Sequence, residues 1–233
     1  MKTLFAAAAL AAVAGSAQAA LVAYWNVNAN PIAASGTQAA TTINAAFAAN
    51  GGTATLTNNQ IVAANYLWFT PVGASAHGGL NGLIAYGDVN GNDLGIQNGS
   101  GGVNNGKFIT FRFDNTGFTN LVMTFAGRRT STGFTSIDVS TSNDGTNFTA
   151  AGSVTTTTLL STGYSLQTVN LAGATNINNA ANAYVRLTFQ GTGTSAAGNV
   201  RLDNFQFNGD VIPTPGAAAL LGLAGLAATR RRR

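Results

Sequence analysis

The sequence predicts an all-β fold, an antiparallel β-sandwich of jelly-roll type, and three observations predict it. Apolar and polar residues alternate in short runs such as Ile109, Phe111 and Phe113 against Thr110 and Arg112, which is the period of a half-buried strand. The runs are separated by turn clusters such as Asp114-Asn115-Thr116-Gly117 and Asn143-Asp144-Gly145, in a chain with 29 Gly. Of 233 residues, 45% are hydrophobic and only 8% charged, against roughly 25% in an ordinary soluble domain, so a sizeable core is available and the surface must be polar without charge.

Taken in order, Leu21 to Val27 reads as a first strand carrying Tyr24 and Trp25. Thr41 to Asn50 is Ala-rich enough for a short helix or a loop, and Gly73 to Asn105 is crowded with Gly and Asn and reads as a long excursion over the sandwich. Lys107 to Phe113 and Leu121 to Phe125 are strands joined by a turn. Phe134 to Thr141 places Ile137 and Val139 on one side and Ser136, Asp138 and Ser140 on the other, with a turn ahead of Phe148. The Thr155 to Thr158 run suits an exposed strand edge, and Tyr164 to Leu171, Tyr184 to Phe189 and Val200 to Phe207 complete the series.

The two ends read as targeting segments. Lys2, an apolar run from Leu4 to Ala14 and the small residues Gly15 to Ala19 form a secretory signal, residues 1–19, cut after Ala19. At the other end, residues 210–233 carry Pro213, Thr214 and Pro215, a run of Ala, Leu and Gly to Ala228, and then Arg230, Arg231, Arg232 and Arg233. About a dozen apolar residues give a helix near ~18 Å long, short for a ~30 Å hydrocarbon core, with the arginines on the cytoplasmic side. Between them lies an ectodomain, residues 20–209. The formal charge of +4 is concentrated in these ends. Six basic residues, Lys107, Arg112, Arg128, Arg129, Arg186 and Arg201, face six Asp in the remainder, with Asp210 just beyond it, so no basic groove for nucleic acid is implied.

Pro-x-Pro, a short Ala/Leu/Gly helix and a terminal Arg cluster resemble the PEP-CTERM sorting signal of bacterial exported proteins, with Thr214 where that motif has Glu. The resemblance implies an exosortase-type sorting enzyme as partner and transient anchorage in the inner membrane through the C-terminal helix. Phe125 to Ser131, Gly133, Val139, Ser142, Asp144, Gly145, Val185 to Leu187 and Gly198 to Asn204 are similar to jelly-roll ectodomains found with such tails. What they imply is architecture and address rather than ligand.

With no Glu, no Cys and one His, the chain excludes disulfide frameworks, thiolate zinc sites, Cys nucleophiles and Glu-dependent acid–base pairs. Two of the seven Asp could still serve a glycosidase, but no spacing favours a pair. Asp203 lies two and four residues before Phe205 and Phe207, on what alternation makes one face. A carboxylate there needs a partner, which Arg201, Arg128 or Arg129 supplies, or else a structural Ca²⁺; an exposed position near the strand end is the third reading. Asp88, Asn90, Asn92 and Asp93 begin like a calcium loop but lack Gly at its sixth position and an acid at its twelfth, leaving a turn. His77 reads as a solvated loop residue.

Tyr66, Trp68 and Phe69, with Tyr24 and Trp25, are candidate rings for stacking on a sugar, with core packing as the other reading. Asn98-Gly99-Ser100 and Asn147-Phe148-Thr149 are glycosylation sequons in an Asn-rich chain. The expectation is an exported, non-enzymatic cell-surface or extracellular-matrix protein, structural or adhesive and in contact with extracellular polysaccharide or surface proteins. The alternative is a carbohydrate-binding jelly roll with a structural calcium; no cofactor is required in either case.

Overall fold

Short alternating runs cannot bury their apolar sides alone, and in the computed structural model they pair into two antiparallel sheets packed face to face. The structure describes residues 19–27, 36–37, 42–69, 79–87, 93–156, 163–191 and 195–213. The bulk of the signal segment, the tail from Thr214 onward with its four arginines, His77, Asp88, Asn90, Asn92, Thr157 and Thr158 lie outside the described residues.

In chain order the strands are β1 (Ala19–Trp25), β2 (Gly36–Thr37), β3 (Thr42–Asn44), β4 (Phe47–Ala48), β5 (Thr55–Asn58), β6 (Tyr66–Phe69) and β7 (Asp93–Gln97). There follow β8 (Phe108–Phe113), β9 (Phe118–Arg129), β10 (Ser136–Ser142), β11 (Thr149–Thr155), β12 (Ser165–Asn170), β13 (Ala183–Gln190) and β14 (Asn199–Val211). The larger sheet has eight strands in the order β12-β9-β14-β7-β6-β2, with β1 also on β14 and β4 on β1. The smaller has six, β11-β10-β13-β8-β5-β3.

The long strand β14 organises the larger sheet. One edge pairs with β9, and the other pairs with β7 over its first four residues and with β1 over its later ones. It extends past residue 209, the expected end of the ectodomain, and the Ile212 N–H still donates to the Gly117 carbonyl at 2.8 Å. Between the sheets lies an aromatic core in which Trp25 meets Phe111 edge-on at 5.0 Å, Phe111 meets Phe205 at 4.9 Å and Phe113 meets Phe207 at 4.6 Å.

Two segments depart from the sequence reading. Residues 42–50 form no helix but two short strands joined by irregular turns: β3 pairs with β5, β4 pairs with β1, and Ala46 and Ala49 donate their N–H groups to the Tyr24 and Val22 carbonyls of β1. Neighbouring strands supply the backbone partners, so tertiary pairing overrides the preference of alanine. The expected excursion contains β7, which puts Leu94 and Ile96 into the core between β14 and β6. Of the expected Thr155–Thr158 edge only Thr155 lies in a strand, at the end of the edge strand β11; Thr156 beyond it is fully buried and its hydroxyl donates to the Phe134 carbonyl.

Two glycines of the ectodomain pattern meet where β9 turns toward β10. A Cβ on Gly133 would stand 2.3 Å from the Asn199 carbonyl oxygen, and one on Gly198 2.0 Å from that of Thr132. Close approach of these two backbones requires glycine on both sides. It lets Asn98 donate to the Thr132 and Ser195 carbonyls at 2.6 and 2.8 Å.

Candidate functional site

The larger sheet turns an outer face away from the core, and part of that face is closed over by residues 79–87. Tyr24 sits on it, fully buried, its hydroxyl donating to Asn204 Oδ1 at 2.7 Å and accepting the Leu83 N–H at 3.2 Å. Asn81 reaches down to the Asn204 carbonyl at 2.6 Å, Asn204 Nδ2 reaches back to the Leu80 carbonyl at 3.1 Å, and Gln206 donates to the Asn81 carbonyl at 2.5 Å. The Gly- and Asn-rich segment is thus a cover whose amides replace water over β14.

Asp203 lies beside this cover, fully buried, and not on the face that simple alternation assigns it. Asn204 adopts φ 52°, and three steps along β14 from Asp203 to Gln206 oppose two along β9 from Ala126 to Thr124. This bulge reverses the side-chain sense. Leu202 stays in the core, Phe205 and Phe207 re-enter it, and Asp203 points outward with Arg201. The exposed reading of Asp203 and its placement with Phe205 and Phe207 are both corrected.

The arginines beside it are shared with a second acid. The β7–β14 ladder ends at Leu94 opposite Leu202, so Asp93 and Asp203 are the next residue on each strand. Asp93 is also fully buried; it accepts the Tyr164 hydroxyl and lies 3.9 Å from Arg201 Nη1. Burial pushes its carboxyl up to about 7, against the pull of Arg201 and Arg128. Arg128 faces Arg201 across the β9–β14 ladder, with its guanidinium 5.9 Å from the Tyr164 ring centroid. Asp93 thus has two guanidiniums near it, and Asp203 is the next acid along the same face. That donor set does not fit a Ca²⁺ cage, which needs six to eight oxygens and no competing cations. Among the described residues no three acidic or histidine side chains converge.

The expected sugar platform is also redrawn. Tyr66 is buried, with 1% exposure, and burial pushes its phenol up from the ordinary tyrosine value. Trp25 is in the core and Tyr24 beneath the cover, so none of these three offers a free ring face. Trp68 pairs in register with Leu94 and Phe69 with Asp93; their side chains lie outside what is described. Of the sequons, Asn98 is fully buried and engaged, whereas Asn147 is exposed.

The half-exposed aromatics are on the smaller sheet. Its core side takes Ile109, Phe111 and Phe113 of β8 and Val185, Leu187 and Phe189 of β13. Alternation therefore sends Phe108 and Thr110, and Tyr184, Arg186 and Thr188, to the outer face. The Arg186 guanidinium lies 3.8 Å from the Phe108 ring centroid and 3.5 Å from that of Phe148, a cation held between two rings. Burial lowers the Arg186 pKa, though a guanidinium remains charged at any physiological pH.

The β10–β11 loop delivers Phe148. Asp144 Oδ1 accepts the Ser142 hydroxyl at 2.7 Å and the N–H groups of Thr146 and Asn147 at 2.8 Å each, and Asp144 Oδ2 accepts Asn147 Nδ2 at 2.7 Å. These bonds, the Ser142 hydroxyl foremost, hold the Asp144 carboxyl below the usual carboxylate range. Gly145, at φ 75°, passes so close to Tyr184 that a Cβ there would be 3.0 Å from the ring. Phe108, Phe148 and Tyr184 are half-buried, and Ser140 and Thr110 flank Arg186 across the ladders. Exposed Asp138 lies opposite Thr188, one rung away. Such a face offers rings for C–H surfaces and hydroxyls for polar edges.

No family model matches the chain, and no curated protein matches it. Among solved structures it is similar to the xylan-binding module CBM15, at 10% identity over 75% of this chain and 97% of that one, with a TM-score of 0.41. It is also similar to the K2 cleaved adhesin domain of Lys-gingipain, at 17% identity over 72% and 88% with a TM-score of 0.38. A family 6 carbohydrate-binding module follows at 21% identity, 51% and 74% coverage and a TM-score of 0.33.

Proposed function

We propose that this chain is an exported, non-enzymatic adhesive protein of the cell surface or matrix, whose jelly-roll sandwich holds extracellular polysaccharide on the outer face of its six-stranded sheet. The observation that carries the reading is the half-exposed stack of Phe108, Arg186 and Phe148, preset by the Asp144 turn. Aromatic rings bury the apolar face of a pyranose without needing charge, and rings already fixed by packing lose little freedom on binding. The half-exposed Ser140 and Thr188 around them carry hydroxyls that suit sugar hydroxyls directly or through water.

Delivery to the surface rests on the ends of the sequence. Residues 1–19 direct export, and residues 210–233 present Pro213-Thr214-Pro215, an apolar helix and four arginines to an exosortase-type enzyme while holding the chain briefly in the inner membrane.

Retention of the purified full-length chain on insoluble polysaccharides tests the reading. Saturable retention on at least one polymer, weakened by F108A and by F148A, supports it. A folded chain that no polymer retains overturns it.

A further inference from the structure

We infer that the sugar recognised on this face is a uronate, with Arg186 as the residue that selects its carboxylate. The inference rests on the polysaccharide reading above and names the ligand class for the same site. Among the described residues Arg186 has no carboxylate within ion-pair distance, whereas Arg201 faces Asp93 and Arg112 is held by Asn182 Oδ1 at 2.7 and 3.1 Å. Its Nε is sealed from solvent with no hydrogen-bond partner. With its guanidinium carbon over both the Phe108 and Phe148 rings and its Nε sealed, the edge carrying the terminal nitrogens is the part left for a ligand.

That edge is two coplanar donors in a fixed orientation. A carboxylate meets it in-plane and gains two charge-assisted hydrogen bonds, about twice as strong as bonds to a neutral hydroxyl. The pyranose that carries the carboxylate then lies against the edges of the two rings. Outer-face charge agrees: Arg112 and Arg186 oppose only Asp138, and the nearby Asp144 carboxylate is already occupied by its own turn. A neutral sugar would use the rings and leave the cation without a counter-charge.

The test compares polygalacturonate with the galactan made by reducing its carboxyl groups, its neutral counterpart, on the full-length chain, with poly-aspartate as a non-sugar carboxylate polymer. The expected result is polygalacturonate bound about tenfold or more tighter than galactan and than poly-aspartate. R186Q should erase the preference, leaving the two polysaccharides within about twofold, and R186K should lose most of it, because an ammonium keeps the charge without the planar fork. An unchanged melting temperature in R186K separates recognition from folding should R186Q fail to fold. Equal binding of both polysaccharides, weakened by F148A, overturns the uronate inference and leaves the polysaccharide reading standing. So does equally tight binding of poly-aspartate, or a preference that survives R186K intact. Binding of no polysaccharide overturns both.

Discussion

Asp203 and Phe205 are two residues apart on β14 yet face opposite sides of the sheet, because Asn204 between them adopts a left-handed conformation, φ 52°. Asn204 is fully buried, and its side chain accepts the Tyr24 hydroxyl and donates to the Leu80 carbonyl. One residue thus sets both the face of the acid and the seating of the cover.

Asn204→Ala is expected to destabilise the chain by about 2–3 kcal/mol, combining left-handed strain with an abandoned Tyr24 hydroxyl. Asn204→Gly should recover the backbone part and so be less damaging. Chemical denaturation of the two variants checks this. Equal losses would mean that the bulge needs no positive φ.

The Asp93 carboxyl, raised from the ordinary aspartate value of 3.8 to about 7 by burial, binds a proton more readily in the folded chain than in the unfolded one. Stability therefore declines as pH rises from about 4 to about 7 and levels off above. The melting temperature should fall by several degrees across that window, and D93N should flatten the slope. Identical slopes would show that Asp93 does not titrate there.

Arg128 and Arg201 stand beside the buried Asp93, so the proposal for this cluster is charge pairing rather than a metal. EDTA should leave the melting temperature of the full-length chain within about 1 °C, and added Ca²⁺ should not raise it. A loss of several degrees on chelation, restored by Ca²⁺, would contradict that assignment.

Residues 210–233 fused to a secreted reporter should retain it in the envelope of a host carrying an exosortase-type enzyme. Replacing Arg230 to Arg233 should release it. Free secretion of the unaltered fusion in such a host would remove the sorting proposal.

The core strands were legible because their period is uninterrupted: Ile109, Phe111 and Phe113, or Val185, Leu187 and Phe189, alternate cleanly with polar neighbours. Strand β7 was not, since its five residues include Gly95 and are bounded by the Asn and Gly of a loop. The facing of Asp203 was hidden for another reason. Leu202-Asp203-Asn204-Phe205 reads as plain strand, and only pairing with β9 reveals the extra residue. Buried asparagines were equally hidden. Asn98, Asn104 and Asn115 look like turn residues in sequence, whereas the fold uses them as internal staples for backbone carbonyls. The stack itself unites Phe108, Phe148 and Arg186 from β8, a hairpin loop and β13, a grouping no local pattern announces.

The outer face of the six-stranded sheet is the proposed polysaccharide site. Binding isotherms for a soluble polysaccharide that the full-length chain retains, run on the parent, F148A and L166A, test it most directly. Leu166 is exposed on the opposite sheet, so its loss controls for surface change. The account predicts that L166A binds like the parent and that F148A, still folded, binds about tenfold more weakly. Parent-like binding by F148A, or a loss confined to L166A, would contradict it.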